Sequence, residues 1–465
     1  DGLNPHFFAY GQLPLYLAYF LLKVVKLAGG SVIAGISFLE ATLALRLISA
    51  VASILTVLVA LKIINQLTSL KINELGQDRI SILGCMLFIF SPVLIQLAHF
   101  GTTEALLLFF YTLLIWLSLK KLHKKFNGKE YLLLAATIVG LAAATKVSSL
   151  IFSLLPITVI IWEELEKPEE DFSGLFAQLA VLGAMALVIF IIFSPYNFID
   201  FPNFLAALHY ESAVALGTLP VFYTQQFFLS RPLFFQFLKI FPYALGWPVL
   251  LFFLAGFFFL PWRKKELLFL RLALVFYFLP TAFIYTKWTR FMAPIYPLML
   301  VFASLFVGQL LDNLKNVWFQ RLTGCVLCLL GCLPGLLYLN IYWQPDVRMQ
   351  ATDWINKHVS TDSTILQEAG NVINLPLDNK KNLQPVVFDF YNLTNNKDTF
   401  EELKLAVQQA DYIIVPSRRV YANYTCATPL LPVDTADNLS YAAKRCALLE
   451  KSYPVLNSYY RQLFS

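Results

Sequence analysis

Lys287-Trp288-Thr289-Arg290-Phe291-Met292-Ala293-Pro294-Ile295-Tyr296-Pro297 opens onto a run that carries no charge as far as Leu311. A helix of that length crosses a hydrocarbon core of about 30 Å. Lys287 and Arg290 therefore stand at the lip of a membrane span, and the remaining chain decides which lip. Nine further runs of similar character are present, at 40–61, 80–98, 103–119, 131–146, 147–162, 174–193, 241–260, 267–286 and 322–341. The runs at 131–146 and 147–162 are short and read as a tight hairpin or as two crossings. The composition agrees: 58% of residues are hydrophobic, 15% aromatic and only 14% charged, where soluble domains carry about a quarter charged residues.

Orientation follows from Lys and Arg in the short loops. With residue 1 outside, the inner loops 62–79, 120–130, 163–173, 262–266 and 312–321 hold fourteen basic residues, against five in the outer segments. Loop 163–173 dissents, with six acids and one Lys, but acids weigh little in this rule. Lys287 and Arg290 thus lie on the outer side, against the trend, and cations placed there call for an anionic partner. The net charge of +6 is explained by this loop bias, and no nucleic acid is invoked as a partner. Residues 13–28 are apolar, with Lys23 and Lys26 near the end. They read as an outer interfacial helix, because a full crossing there would invert the Lys/Arg count. Asp1 is no initiator Met and 1–11 show no signal-peptide pattern, so an upstream span is expected ahead of this sequence.

Beyond about 341 the chain turns polar. Short β-like runs (Ser363–Leu366, Pro385–Phe390, Tyr412–Pro416) alternate with helical stretches such as Thr399–Ala410, the pattern of a small α/β domain. The expected fold class is an all-α polytopic membrane protein of about ten transmembrane helices plus an outer interfacial helix. It carries a small C-terminal α/β domain, 342–465, on the outer face. Cys85, Cys325, Cys328 and Cys332 lie in spans without His or acids around them and read as small packing residues, with no metal site. Cys426 and Cys446 are a disulfide pair if the compartment is oxidising. The sequons at Asn392, Asn423 and Asn438 matter only in a host that glycosylates.

No Walker loop, dinucleotide fingerprint, His-Glu-x-x-His or Gly-x-Ser-x-Gly is present. Polar residues gather at the outer helix ends. His99 and Glu104 flank a tight turn in which Thr102 or Thr103 reads as a helix cap and Glu104 complements the helix dipole. Lys146 sits in the turn Ala144-Thr145-Lys146-Val147-Ser148, either snorkelling or holding a ligand. Arg46 lies just inside a span, where a buried Arg needs a partner; Glu40 does not share its helix face. The long outer loop 194–240 brings His209, Glu211 and Tyr223. Lys287 and Arg290, three residues apart on a helix end, can face one phosphate together, Arg as a fork and Lys as a point charge. Interfacial anchoring beside Trp288 is the plainer explanation.

Leu3-Asn4-Pro5-His6-Phe7-Phe8-Ala9-Tyr10-Gly11-Gln12-Leu13-Pro14-Leu15-Tyr16 resembles the end of the first outer loop in C-type membrane glycosyltransferases. It is most similar to family 39, the protein-mannosyltransferase and aminoarabinose-transferase-like enzymes of prokaryotic type. Ala44-Leu45-Arg46-Leu47-Ile48-Ser49, Thr103-Glu104-Ala105-Leu106, Ala144-Thr145-Lys146, Ser194-Pro195-Tyr196-Asn197 and Arg290-Phe291-Met292-Ala293-Pro294-Ile295-Tyr296-Pro297 follow in the order expected of it. The resemblance covers 1–341, which it makes a transmembrane glycosyltransferase domain lacking its first span.

The resemblance implies transfer of a sugar from a polyprenyl-phosphate donor to an acceptor on the outer face of the cell membrane, with inversion. A carboxylate acts as base and cations hold the departing lipid phosphate. Membrane lipids are the surrounding partners, and the acceptor is left open between protein, lipid and glycan. No cofactor is assigned, and a divalent metal is left open. The catalytic Asp of the family lies earlier in that loop, upstream of Asp1. Glu104 matches a position where relatives carry an acid, so Glu104 and His99 are the catalytic candidates. Lys287, Arg290 and Lys146 are the phosphate ligands, and Arg46, Tyr10, His209, Glu211 and Tyr223 complete the substrate site. A polyprenyl-linked glycan flippase or polymerase, or a noncatalytic scaffold, competes with this reading. The flippase would need polar residues along a path through the bilayer.

Overall fold

The computed structural model describes residues 3–29, 35–68, 74–167, 173–368, 375–377, 381–388, 390, 397–415, 418–426 and 436–464. Asn392 lies outside them. The helices in chain order are α1 (Leu13–Ala28), α2 (Phe38–Thr68), α3 (Glu74–Ile89), α4 (Pro92–His99), α5 (Glu104–Leu122), α6 (Gly128–Thr145), α7 (Leu154–Leu165), α8 (Ser173–Phe193), α9 (Tyr196–Ile199) and α10 (Phe201–Leu216). There follow α11 (Phe241–Leu245), α12 (Trp247–Phe259), α13 (Lys265–Phe283), α14 (Tyr296–Asp312) and α15 (Val317–Trp343).

Among the described residues, eight helices are long and apolar enough to cross a membrane, or ten if each of two bent pairs is one span. All ten apolar runs fall on these segments. The runs at 131–146 and 147–162 belong to helices of 18 and 19 residues, Gly128–Thr145 and Val147–Leu165, so neither is too short to cross. The second begins as a 3₁₀ turn, Val147–Ser153. The first bend has a local cause. Pro92 at the start of α4 cannot continue the hydrogen bonding of α3, and the two axes differ by 57°. The chain turns by 114° between Gln236–Leu245 and Trp247–Phe259. The sixteen-residue α1 is not among the crossing helices, and its Lys26 is buried, paired with Glu40 at 3.1 Å.

The chain folds into two compact units: 1–216 with 231–340, and 217–230 with 341–465. In the first, the segment Thr289–Asp312 is central, with 89% of its most apolar window buried, while α8 and α15 at 11% and 17% lie at the edge. Phe269, Tyr111, Phe302 and Ile63 are among the largest buried side chains of this core. In the second unit, β1 (Thr364–Glu368), β2 (Gln384–Phe388) and β3 (Tyr412–Ile414) form a parallel sheet in the order β2-β1-β3. Thr364 pairs with Gln384 and Ile365 with Tyr412. Leu366, Phe390, Leu456 and Tyr460 form its core. The Tyr424 hydroxyl donates to the Phe222 carbonyl at 2.8 Å, binding the 217–230 segment into this unit. Cys426 and Cys446 form a disulfide. Asn423 is half-buried on a short helix, Tyr421–Tyr424.

Candidate active site

The site of the first unit is built by pinning chain ends together. Gly11 donates its backbone N–H to the Thr145 carbonyl at 3.0 Å, and a Cβ on Gly11 would lie 2.0 Å from the Ala144 carbonyl oxygen. Only glycine permits that approach. The next residue, Gln12, is wholly buried and clamps this segment from the other side. Its N–H donates to Ser194 Oγ at 3.0 Å. Its Oε1 accepts from the Tyr196 N–H and from the Tyr16 hydroxyl, both at 3.1 Å. Its Nε2 donates to Asn197 Oδ1 at 3.4 Å. Tyr10 is thereby held beside the turn that carries Lys146.

Lys146 has an extended backbone, φ −162°, where α6 ends and the 3₁₀ turn begins. Its ammonium stands 3.6 Å from Glu104 Oε1, 5.1 Å from the ring centre of Tyr10 and 5.0 Å from that of Phe291. Two aromatic faces and one carboxylate thus replace the water that a cation loses on burial. Burial lowers the Lys146 pKa from its ordinary value, and Glu104 opposes that shift. Glu104 is 2% exposed in the first turn of α5, where the helix dipole favours an anion. Its N-cap, Thr103, makes no capping bond, and the Thr103 hydroxyl is buried without a hydrogen bond. The expected side-chain cap is therefore absent, because the Thr103 backbone is already helical.

Arg290 enters from a 3₁₀ helix, Thr289–Ile295, which the half-buried Tyr277 and the buried Tyr296 hold. The Tyr277 hydroxyl donates to the Phe291 carbonyl and the Tyr296 hydroxyl to the Thr289 carbonyl, each at 2.9 Å. The Arg290 guanidinium lies 5.8 Å from the Trp288 ring centre and 5.9 Å from that of Phe291. Burial raises the Tyr10 phenol above its ordinary pKa; Arg290 opposes this, while Glu104 and Glu211 add to it. Tyr10, Glu104, Lys146, Glu211 and Arg290 line one cavity of about 280 Å³. Its apolar wall includes Leu107, Phe204, Tyr277 and Pro294. From α10 come Phe204, Leu208, Glu211, Ser212 and Ala215, spaced along one helical face.

Five of the ten residues singled out in the sequence therefore meet, and five do not line this cavity. Lys287 is a correction. Residues 286–288 are not helical, so the three-residue spacing to Arg290 does not put both on one face. The Lys287 ammonium instead donates to the Tyr285 carbonyl at 2.9 Å, is 4% exposed, and has a pKa lowered by burial. Arg46 is also corrected: it is exposed on α2 rather than buried, while Glu40 belongs to Lys26. His99 is exposed at the end of α4, its Nδ1 2.7 Å from the Ile95 carbonyl. His209, two residues before Glu211, lies on another face of α10 and is exposed. Tyr223 belongs to the second unit, its ring edge-on to Phe222. Sequence reasoning quotes Gln12 and Tyr296 only inside longer stretches, gives neither a role, and passes over Tyr277.

A family model described as the Alg9-like mannosyltransferase family matches residues 7–388. The chain belongs to that family. It is a multi-pass membrane glycosyltransferase that draws on a lipid-linked sugar donor, the enzyme class expected from the sequence. Two crystal structures of ArnT from Cupriavidus metallidurans are similar to this family member at 14% identity. The apo structure covers 87% of this chain and 79% of that chain with a TM-score of 0.46. The one bound to undecaprenyl phosphate covers 95% and 85% with a TM-score of 0.48. Among curated proteins none matches.

Proposed function

We propose that this Alg9-like family member transfers a sugar from a polyprenyl-phosphate donor to an acceptor hydroxyl on the extracytoplasmic face, with inversion, and that the cavity around Lys146 holds the donor phosphate. One observation carries the reading: Lys146 and Arg290, 144 positions apart in the sequence, line one largely apolar cavity at the end of the helices. The acceptor oxygen attacks the anomeric carbon as a carboxylate takes its proton, and the bond from that carbon to the phosphate oxygen breaks. The leaving phosphate gains negative charge. Cations already in position stabilise it without reorganisation, Arg290 as a bidentate fork and Lys146 as a point charge.

Glu104 serves as the residue that positions Lys146. It is buried, its nearest cation is Lys146 at 3.6 Å, and its Oε1 makes no hydrogen bond. Glu211, exposed at the rim of the same cavity, is the acid open to an incoming acceptor. Lys287 is not assigned to the phosphate, because its ammonium is committed to the Tyr285 carbonyl. The test is transfer of radiolabel from polyprenyl-phosphate sugars in membranes carrying the full-length protein and its Arg290→Ala and Lys146→Met variants. Both variants are expected to lose donor binding and turnover. Undiminished donor affinity in both would remove the phosphate role.

A further inference from the structure

Helix α15 meets the bundle at one end and leaves it at the other. Near its C-terminal half the contact is very close: a Cβ on Gly335 would lie 1.8 Å from the Phe90 carbonyl oxygen, and one on Gly331 would lie 2.3 Å from Leu87 Cδ2. Toward the N-terminal half the contact opens. A Cβ on Gly324 would find nothing nearer than Leu311 Cδ1, at 3.4 Å. The helices therefore diverge, leaving a wedge of about 340 Å³ between α3, α14 and α15. Its walls are apolar, including Ile82, Leu83, Leu311, Gly324 and Cys328.

The wide end of the wedge is charged. Arg79, Gln320, Arg321 and Asp312 line it. Arg79 donates to Gln320 Oε1 at 2.8 Å, and Asp312 lies within its electrostatic reach. Two guanidinium groups and one carboxylate line this end, so its lining is net positive, and both arginines are exposed. An apolar slot that ends in net positive charge matches an acyl chain joined to a phosphate. This end also adjoins the loops 62–79 and 312–321, which the Lys/Arg bias puts on the inner side, where anionic lipids concentrate.

We propose that the wedge between α3, α14 and α15 is a binding site for one anionic phospholipid, its acyl chain along Gly324 and Cys328 and its phosphate on Arg79 and Arg321. The site is at a different place from the cavity of Lys146 and Arg290 and does not depend on the proposed reaction. Full-length protein in mild detergent is mixed with equal phosphatidylglycerol and phosphatidylcholine of matched chains, and bound lipid is read by native mass spectrometry. Phosphatidylglycerol is retained over phosphatidylcholine by about tenfold, the size expected when one to two basic residues meet an anionic headgroup. Arg79→Gln with Arg321→Gln, both at exposed positions, removes the preference while the melting temperature is kept. Gly324→Leu, which fills the wedge beside Leu311, reduces retention of both lipids. Equal retention by the parent, or a preference that survives the double arginine change, overturns the proposal.

Discussion

The pair Glu104–Lys146 lends itself to a double-mutant cycle in which stability and function separate. Its charges are 3.6 Å apart, with side-chain exposures of 3% for Glu104 and 18% for Lys146. At an effective dielectric of about 20 their attraction is about 4–5 kcal/mol, of which desolvation offsets a large part. Lys146→Met strands the more deeply buried charge and costs about 3–5 kcal/mol. Glu104→Gln strands a cation that still has two aromatic faces and some water, and costs about 1–3 kcal/mol. The double variant removes both charges and comes out well below the sum of the singles. Thermal unfolding of the purified full-length protein in detergent gives the four stabilities, and a donor-binding assay follows each. The double variant should be folded yet unable to hold donor. That expectation is refuted if the single costs simply add, or if the double variant binds donor like the parent, which would make the pair structural alone.

Gly11→Ala drives a methyl group into the Ala144 carbonyl and displaces Tyr10; expect a loss of turnover of tenfold or more, on the order seen for ångström-scale misplacement, measured against thermal stability. Gln12→Ala leaves the Tyr196 N–H and Asn197 without their partner and should lower stability by about 2–4 kcal/mol, read by thermal melting. In the second unit, burial raises the Glu368 carboxyl to about 7. Between about 4.5 and 7 the folded state keeps a proton that the unfolded chain has lost. Stability of this unit therefore falls by about 3 kcal/mol as pH rises through that window. Glu368→Gln should flatten the dependence in urea titrations at pH 5 and 8. Reducing Cys426–Cys446, 20 residues apart, should lower the stability of that unit by about 3 kcal/mol on the loop-entropy estimate, seen as a shift in the urea midpoint.

Structure is legible in the sequence where a physical constraint acts on a contiguous stretch. A span has to be long and apolar, so all ten runs are visible. A strand run flanked by polar turns marks β1 and β3 to within a residue or two. Legibility ends where geometry depends on the break between elements. The Lys287–Arg290 pairing assumes a helix through Trp288, whereas the chain is extended there and turns 3₁₀ only at Thr289. Arg46 reads as buried because it lies in an apolar run, but α2 leaves one face exposed, with Leu43, Leu47 and Ile54 on it. His209 and Glu211 are neighbours in sequence and differ by about 200° around α10, so only one reaches the cavity. Gln12 gives no signal at all, since its partners Ser194, Tyr196 and Asn197 lie more than 180 positions away.

The same breaks explain how cations can wait near hydrocarbon before any donor arrives. An isolated charge at this depth would neutralise or seek water. Lys146 has instead Glu104 at 3.6 Å and the faces of Tyr10 and Phe291, and Arg290 has Trp288 and Phe291. None of these is a tight bidentate bond. The contact between Lys146 and Glu104 is longer than a hydrogen bond, so in the proposed reaction a phosphate oxygen can compete for the ammonium without first breaking a strong pair. A tighter Glu104 would hold Lys146 back from the donor, and without an acid the lowering of the Lys146 pKa by burial would go unopposed by Glu104. That balance predicts a distinct signature for Glu104→Asp. Shortening the side chain by one methylene weakens its hold on Lys146 while keeping the charge. Donor affinity should then change less than in Glu104→Gln, where Lys146 is left to the full effect of burial. Equal donor affinities for the Asp and Gln variants, measured by titration at one pH, would show that the charge of Glu104 does not act through Lys146.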